Sequence, residues 1–199
     1  MSVRPRVAHA IIATAASLIL AVYPVLTADA ATNSPYVTKT EFGQMGTHQT
    51  RTRVAELFGT HGKTVTENSQ YVWKQYRTAY GAHPYSVDVR FWKNVNGVYR
   101  AEEWSAVWRT GPVRAQNPVK KTEYVQIKIG QSLAEVRSII HSGGKIAREE
   151  HVQGSGGSLH RKTYLWPVAY NSRGVVTITF ESGPGESGYS VVAKSVDWG

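Results

Sequence analysis

The residues of this chain that could carry chemistry are mainly tryptophans and arginines. The chain contains six Trp residues, and Trp and Arg are enriched among the contacts that dominate the energetics of protein interfaces. Arg90, Arg100 and Arg173 could meet carboxylates of a partner. A solvated strand face would carry the same residues, so these arginines alone do not decide between the two interpretations. The residue types favour binding over catalysis.

The motifs of familiar enzyme classes are absent from the sequence. There is no H-E-x-x-H metal motif and no G-x-S-x-G nucleophile turn. The acidic pairs Glu102–Glu103 and Glu149–Glu150 are adjacent in sequence, so on strands the two members of each pair point to opposite faces. They cannot act together as a general acid and base. We therefore expect a protein that is not an enzyme and that has no cofactor.

Two histidines flank the glycine-rich segment GSGGS at 154–158. His151 and His160 could face each other across a hairpin, but a metal ion would need further ligands within reach, so we expect no metal site. The segment separates two strand-like runs and does not precede a helix. It is therefore interpreted as a hairpin tip and not as a phosphate-binding loop.

The elements that must position these residues occur twice in the chain. The first part of the repeat is gapless at an offset of 82, and the later part continues at an offset of 89 to 90. The aligned pairs are TEFGQMGTHQTRTRV (40–54) with TEYVQIKIGQSLAEV (122–136), VDVRF (87–91) with VTITF (176–180), and YRAEEWSAVW (99–108) with YSVVAKSVDW (189–198). Such a repeat predicts two copies of one structural unit, with function expected where the copies meet.

Each copy has the pattern of two short helices followed by about four strands. Ser132 with Glu135 three residues later forms a capping-box signature before an apolar helical stripe, and Thr50 occupies the equivalent position. Val87, Val89 and Phe91 alternate with polar residues, as expected of a half-buried strand. The predicted fold class is α+β, with two tandem αα-ββββ repeats.

The same alternation predicts which residues face away from the helices. Asp88, Arg90 and Trp92 must lie opposite the apolar positions of their strand. In the last strand of each copy, the sets considered to share one face are Arg100, Glu102, Trp104, Ala106 and Trp108, and then Ser190, Val192, Lys194, Val196 and Trp198. We expect both sets to point outward, because Arg and Glu accompany Trp104 and Trp108.

The two ends of the repeat set the domain boundaries. Residues 1–30 combine a basic start, an apolar run and the small residues Ala28 and Ala30, which favours a cleaved secretory signal. A retained membrane anchor is the alternative, since the run is nearly long enough to span a bilayer. The predicted organisation is a signal peptide at 1–30, a first repeat at 31–108, a linker at 109–118 and a second repeat at 119–199.

Composition limits the partners of the exported protein. The net charge of the whole chain is +9, and loss of Arg4, Arg6 and Asp29 with the signal would leave +8. A basic exported protein is suited to acidic proteins or anionic wall polymers. Nucleic-acid binding is not expected, since no basic cluster with interleaved aromatic residues is present. The chain has no cysteine, which excludes disulfides and thiol chemistry.

The opening T-x-F/Y-x-x-I-x-x-G-x-[ST]-x-x-x-V occurs in the second copy and, with Met45 and His48 at the Ile and Gly positions, in the first. This repeated opening behind a signal peptide resembles the secreted β-lactamase inhibitor proteins of actinobacteria. The resemblance implies one curved antiparallel sheet with helices on its convex face and a concave face that binds a protein. The sequence departs from that family at several points. GAHPY (81–85) stands where an acidic loop residue is expected, Asn171 stands where a large aromatic is expected, and His48 replaces a glycine. The disulfides of the family are absent.

These observations together predict a secreted, monomeric, non-enzymatic module that binds a partner protein on its sheet. A class A β-lactamase is the specific partner that the resemblance implies, with no membrane contact after signal cleavage. The alternative is a cell-envelope module that binds anionic wall polymers through its basic surface. The candidate partner-binding residues are Trp108, Trp198, Trp104, Trp92, Arg90, His83, Tyr85, Tyr170, Asn171 and Arg173.

Overall fold

The computed structural model of the chain describes residues 36–78, 81–110, 117–154, 156–169 and 171–199, with only the backbone at residues 81–84 and 172. The predicted signal at 1–30, most of the linker and Tyr170 lie outside the described residues. The described residues form four short helices and eight strands. They are α1 (Lys39–Gly43), α2 (Arg51–Leu57), β1 (Lys63–Glu67), β2 (Tyr71–Thr78), β3 (Gly81–Lys93), β4 (Tyr99–Val107), α3 (Lys121–Tyr124), α4 (Leu133–Ile140), β5 (Lys145–Gly154), β6 (Gly157–Val168), β7 (Asn171–Ser182) and β8 (Ser190–Asp197).

The strands form one open antiparallel sheet. Its order is β1-β2-β3-β4-β5-β6-β7-β8, so each strand pairs with its neighbours in sequence. The α+β class is thereby confirmed. None of the helices in the described ranges is both long enough and apolar enough to cross a bilayer.

Local sequence signals determine where the helices begin. Ser132 Oγ accepts the Glu135 N–H at 3.2 Å, and the Glu135 carboxylate accepts the Ser132 N–H at 2.6 Å, which completes the predicted capping box. Thr50 Oγ1 caps α2 by accepting the Arg53 N–H at 3.1 Å. These caps satisfy amide groups that have no partner within the helix.

Two hydrophobic cores lie between the helices and the sheet. In the first, Phe42 of α1, Val54 of α2 and Phe58 at the end of α2 pack against strands β2 to β4. In the second, Val136 and Ile140 of α4 pack against strands β6 to β8. Because every described helix contributes its apolar side chains to these cores, the helices cover one face of the sheet, which we call the helix face.

Several local irregularities recur at the offsets of the sequence repeat. The β1–β2 pairing shifts register between Thr64 and Thr66. The β5–β6 pairing shifts register between Ile146 and Arg148, which lie 82 residues after Thr64 and Thr66 respectively. The β3–β4 and β7–β8 pairings shift as well, at Arg90/Phe91 and Thr179/Phe180.

Positive φ angles recur in the same way. His48 has φ 64° and Gly130, 82 residues later, has φ 86°, so both residues take the left-handed conformation. Gly62 and Gly144 also have positive φ angles, of 61° and 68°. A side chain at either glycine would collide with an aromatic ring, Tyr76 or Trp166 respectively, which explains why both positions are glycine.

The strands β4 and β5 join the two halves of the sheet. They pair from Glu103 opposite Val152 to Val107 opposite Arg148. Just beyond this ladder, the Trp108 amide donates to Ala147 O at 2.8 Å. The Trp108 indole donates to the Glu149 carboxylate at 3.0 Å. The junction is thus held by backbone and side-chain hydrogen bonds together.

Candidate protein-binding face

The face of the sheet opposite the helix face is here called the open face. Its composition results from the register of β2 and β3, in which the fully buried Val87, Val89 and Phe91 lie on the helix face. The intervening Asp88, Arg90 and Trp92 therefore lie on the open face, as the alternation in the sequence predicted.

Three aromatic side chains form a group on the open face around Arg90. The Tyr71 and Trp92 ring centroids are 5.2 Å apart. The Arg90 guanidinium lies 5.3 Å from the Tyr71 ring centroid and 6.0 Å from that of Trp73. Such cation–π contacts restrict the side chains before any partner arrives. The group therefore presents large, partly exposed rings in a fixed arrangement.

Asp88 fixes the neighbouring polar surface by accepting three hydrogen bonds. Its donors are Trp73 Nε1 at 3.3 Å, Gln75 Nε2 at 3.1 Å and Ser86 Oγ at 3.1 Å. All three donors are uncharged side chains. The contacts hold the Trp73 ring in position on β2.

A shallow pocket of about 380 Å³ lies beside this group, where β4 meets β5. Two ion pairs line it: Arg90 Nη1 contacts Glu103 Oε2 at 2.7 Å, and Arg148 contacts Glu150 along β5. Arg90 Nε is buried and has no hydrogen-bond partner. The pocket thus lies at the junction of the two halves and is lined by charged groups of both signs.

The expectation that Trp104, Trp108 and Trp198 point outward is wrong. Trp104 is 6% exposed and Trp108 is 5% exposed, and both belong to the first core. Trp198 is partly buried against the second core, on the helix face. All three rings therefore help to pack the helices onto the sheet.

The error has a structural cause in the last strand of each half. Register shifts in the β3–β4 and β7–β8 pairings leave Glu102 and Val192 without an opposite residue. A bulge inserts one extra residue into the strand. Alternation counted across it therefore assigns residues before and after the bulge to the same face, although they lie on opposite faces. Beyond the bulge, Trp104 lies opposite the buried Val89, which places it on the helix face.

The remaining predicted site residues are spread along β3 and β7. Trp92 and Arg90 lie in the open-face group, and Tyr85 is half-buried at the start of the described side chains of β3. His83 lies on β3, where the structure describes the backbone only. Asn171 begins β7 and Arg173 is exposed two residues later. Among the predicted site residues that the structure describes, the open-face group contains Trp92 and Arg90.

Tyr71 and Trp73 belong to the open-face group but were not among the predicted site residues. The signal for them is the alternation in YVWKQY (71–76), where Val72 and Tyr76 are the buried positions. Applied to β2 as it was to β3, the same period-two reasoning would have placed both rings on the open face.

The predicted pairing of His151 with His160 is confirmed. The two residues are directly opposite each other on β5 and β6, with their Nδ1 atoms 3.2 Å apart. The His151 ring stacks on Trp104, with ring centroids 3.7 Å apart. Burial first, and the adjacent His160 second, lowers the pKa of His151 to about 4. Burial also lowers the pKa of His160.

The histidine pair has no third metal ligand near it. Within the described parts of the chain, no group of three or more His, Cys, Asp or Glu side chains is arranged to hold a metal ion. The neutral imidazoles act instead as packing groups on the helix face, beside Trp104.

No protein-family model matches this chain, and no curated protein matches it significantly. Its function must be argued from the open face, where aromatic rings, ion pairs and the pocket meet.

Proposed function

We propose that this chain is a secreted, non-enzymatic module that binds a protein partner on the open face of its sheet. In this proposal the two halves are copies of one αα-ββββ unit, and the sheet curves around the partner with the helices on its convex side. The observation that carries the proposal is the group formed by Tyr71, Trp73 and Trp92 around Arg90 on the open face.

The composition of this group suits a protein interface. Large aromatic side chains and Arg carry most of the energy in typical interfaces, where they are placed centrally and surrounded by polar residues. The cation–π contacts of Arg90 and the hydrogen bond from Trp73 to Asp88 hold the group in place. A partner would therefore order few side chains on binding, which reduces the entropic cost of association.

The recurring bulges and positive φ angles support the idea of two related units. If the units are copies, β4 is the last strand of the first copy and β5 is the first strand of the second copy. The open-face pocket lies where these two strands pair. This position agrees with the expectation that function lies where the copies meet.

The test compares open-face variants with a matched helix-side control. Trp73→Ala and Trp92→Ala should each weaken capture of a partner by about tenfold or more, the loss expected for an interface hot spot. Ile129→Ala should leave capture unchanged, because Ile129 is 63% exposed and lies near the helices. Circular dichroism on each variant would establish that the sheet is intact.

The specific partner is tested separately with a panel of class A β-lactamases. Inhibition by the wild type that is lost in Trp92→Ala would support the narrow form of the proposal. Failure across the panel would remove this partner and leave affinity capture from the producing culture as the way to find another. Capture that survives both Trp substitutions would contradict the proposed face.

The net charge of +9 favours a second candidate, a cell-envelope module that binds anionic wall polymers. Such binding depends on many lysines and arginines at once, so retention on isolated cell walls should decrease steeply with salt concentration. It should also be nearly independent of Trp92. The two candidates therefore make opposite predictions for the same variant.

A further inference from the structure

The outer edge of β8 resembles the edge of β4 that receives β5. At the start of β4, Ala101 exchanges two backbone hydrogen bonds with the loop before α2, to Gln49 O and from the His48 amide, both at 2.9 Å. At the start of β8, Val191 does the same with Gln131 O and the Gly130 amide, both at 2.8 Å. The starts of β4 and β8 are thus hydrogen-bonded to equivalent loops in the same pattern.

The two strands differ in their outer neighbours. Residues Glu103–Val107 of β4 pair with β5. The equivalent residues of β8, Ala193–Asp197, pair with β7, and no other described strand lies on their far side. The Trp108 N–H donates to Ala147 O of β5. Every second residue of a strand directs its backbone N–H and C=O to the same side, so those of Trp104 and Ala106 also point to β5.

The side chains around Trp108, at the edge of β4, have counterparts around Trp198, at the edge of β8, except for one carboxylate. In the first half, Lys39 Nζ lies 5.5 Å from the Trp108 ring centroid and Phe42 packs edge-on to the ring at 5.4 Å. The indole N–H of Trp108 donates to Glu149 of the added strand at 3.0 Å. Glu149 therefore satisfies the indole and lies near the lysine.

In the second half, Lys121 Nζ lies 5.4 Å from the Trp198 ring centroid, and Tyr124 packs edge-on at 5.9 Å. Among the described residues, no acceptor bonds the Trp198 indole N–H and no carboxylate pairs with Lys121. The positions of ring, lysine and edge-on aromatic are reproduced, and the counterpart of Glu149 is missing.

We propose that the outer edge of β8 binds an extended segment of a partner protein that carries a carboxylate. The segment adds a ninth antiparallel strand, and its carboxylate accepts the Trp198 indole N–H beside Lys121, as Glu149 does at Trp108. This edge is separate from the open face, so the proposal does not depend on the function assigned to that face. Strand addition of this kind derives its affinity from main-chain hydrogen bonds and its specificity from alternate side chains.

Beyond its bulge at Val192, the edge of β8 has no lysine directed outward. Native edge strands are commonly short, bulged or guarded by an outward lysine. The one lysine of β8, Lys194, instead donates to Tyr124 O at 3.1 Å and Ile127 O at 2.7 Å. Val192 is 39% exposed near the start of the edge. The strand is therefore open to pairing.

A second copy of the chain is a poorer occupant. Besides β8 itself, which has no glutamate, the only strand with a free edge among the described residues is β1, in which Glu67 is equivalent to Glu149 by the offset of 82. However, β1 ends at Glu67 and Asn68 already belongs to the turn, so few residues could pair. Glu67 also lies 3.6 Å from Arg51 of its own chain.

The probe for this edge is a synthetic peptide with the sequence of β5, KIAREEHVQG (145–154). We expect it to bind the full chain saturably and to slow amide exchange at Val196 and Trp198. In the β4 ladder, Glu149 lies opposite Ala106, so N-methylation of its amide should abolish binding. N-methylation of Glu150, whose amide points to the other side, is the matched control and should have a small effect.

The carboxylate is tested by a double-mutant cycle. The peptide with Glu149→Gln should bind the wild type about tenfold more weakly, as expected for loss of a charge-assisted hydrogen bond. Trp198→Phe keeps a ring against Tyr124 but removes the indole donor, so it should abolish most of this difference. Lys121→Gln provides a second variant, at an exposed position, with a smaller expected reduction.

Three results would overturn the proposal. One is the absence of saturable binding, and another is binding that is equally sensitive to N-methylation at either position. The third is self-association of the chain that the peptide blocks, because the edge would then belong to a second copy.

Discussion

Replacing His151 by Phe should increase the free energy of unfolding. The His151 side chain is 6% exposed, stacks on Trp104 and leaves its Nε2 atom buried without a hydrogen-bond partner. Such an unsatisfied group costs about 1–3 kcal/mol. Phe would keep a ring in the stack and remove the nitrogen. The hydrogen bond to His160 would be lost, but His160 is more exposed and can bond water instead.

The same substitution should reduce the dependence of stability on pH. Burial lowers the pKa of His151 to about 4 in the folded chain, against about 6.5 for an unfolded histidine. Between these values the unfolded chain binds a proton that the native chain does not bind. The wild type therefore loses stability as the pH decreases from about 6.5 to about 4, and the loss is complete below that range.

The expected size of the effect is set by the two pKa values. At about pH 5, protonation of His151 in the unfolded chain should have lowered the free energy of unfolding of the wild type by about 2 kcal/mol. At still lower pH the decrease should reach about 3 kcal/mol. Other groups titrate in the same range, so the informative quantity is the difference between the variant and the wild type. That difference should be smallest near neutral pH and should increase as the pH decreases.

The assay is urea unfolding followed by circular dichroism at several pH values. His61→Gln serves as the control, because it also removes an imidazole but at an exposed position. A stability difference between His151→Phe and the wild type that is the same at every pH would refute the assignment of the titration to His151. A variant less stable than the wild type at neutral pH would contradict the cost assigned to the unsatisfied nitrogen.

Two further substitutions test the local geometry of the fold. Gly144→Ala should cost about 2–4 kcal/mol in thermal or urea unfolding, because Gly144 has φ 68° and a side chain there would overlap the Trp166 ring. Gly143→Ala should be nearly neutral, since nothing lies within 4 Å of the added carbon. Thr50→Ala should cost about 1 kcal/mol through loss of the α2 cap. Thr52→Ala is its control, and equal costs at both threonines would show that capping does not stabilise α2.

The sequence predicted those parts of the fold that depend on short-range signals. The cap at Ser132, the helix after it and the buried face of residues 87–91 are all determined by residues within one or two turns or along one strand. The facing of His151 and His160 was predicted for the same reason, because the glycines between them specify a hairpin.

The faces of the last strands could not be obtained in this way. The alternation that assigns Arg90 correctly fails across the bulge at Glu102, and no local signal in the sequence indicates a bulge there. Arg and Glu next to Trp104 suggested an exposed strand. In the structure the Glu102 carboxylate instead contacts Nδ1 of His48, which lies in the loop before α2, at 2.9 Å. That contact joins residues far apart in sequence, and only the tertiary fold brings them together.

The charges of the open face bear on the choice between a protein partner and a wall polymer. Arg90 pairs with Glu103 across β3 and β4, and Arg161 pairs with Glu181 at 2.6 Å across β6 and β7. These pairs balance charge locally, so the excess positive charge of the chain is not concentrated among them. A polyanion attracted by net charge would have little reason to select this face. A partner that recognises it must use shape and the aromatic rings, so binding there should change little with salt and strongly with Trp92.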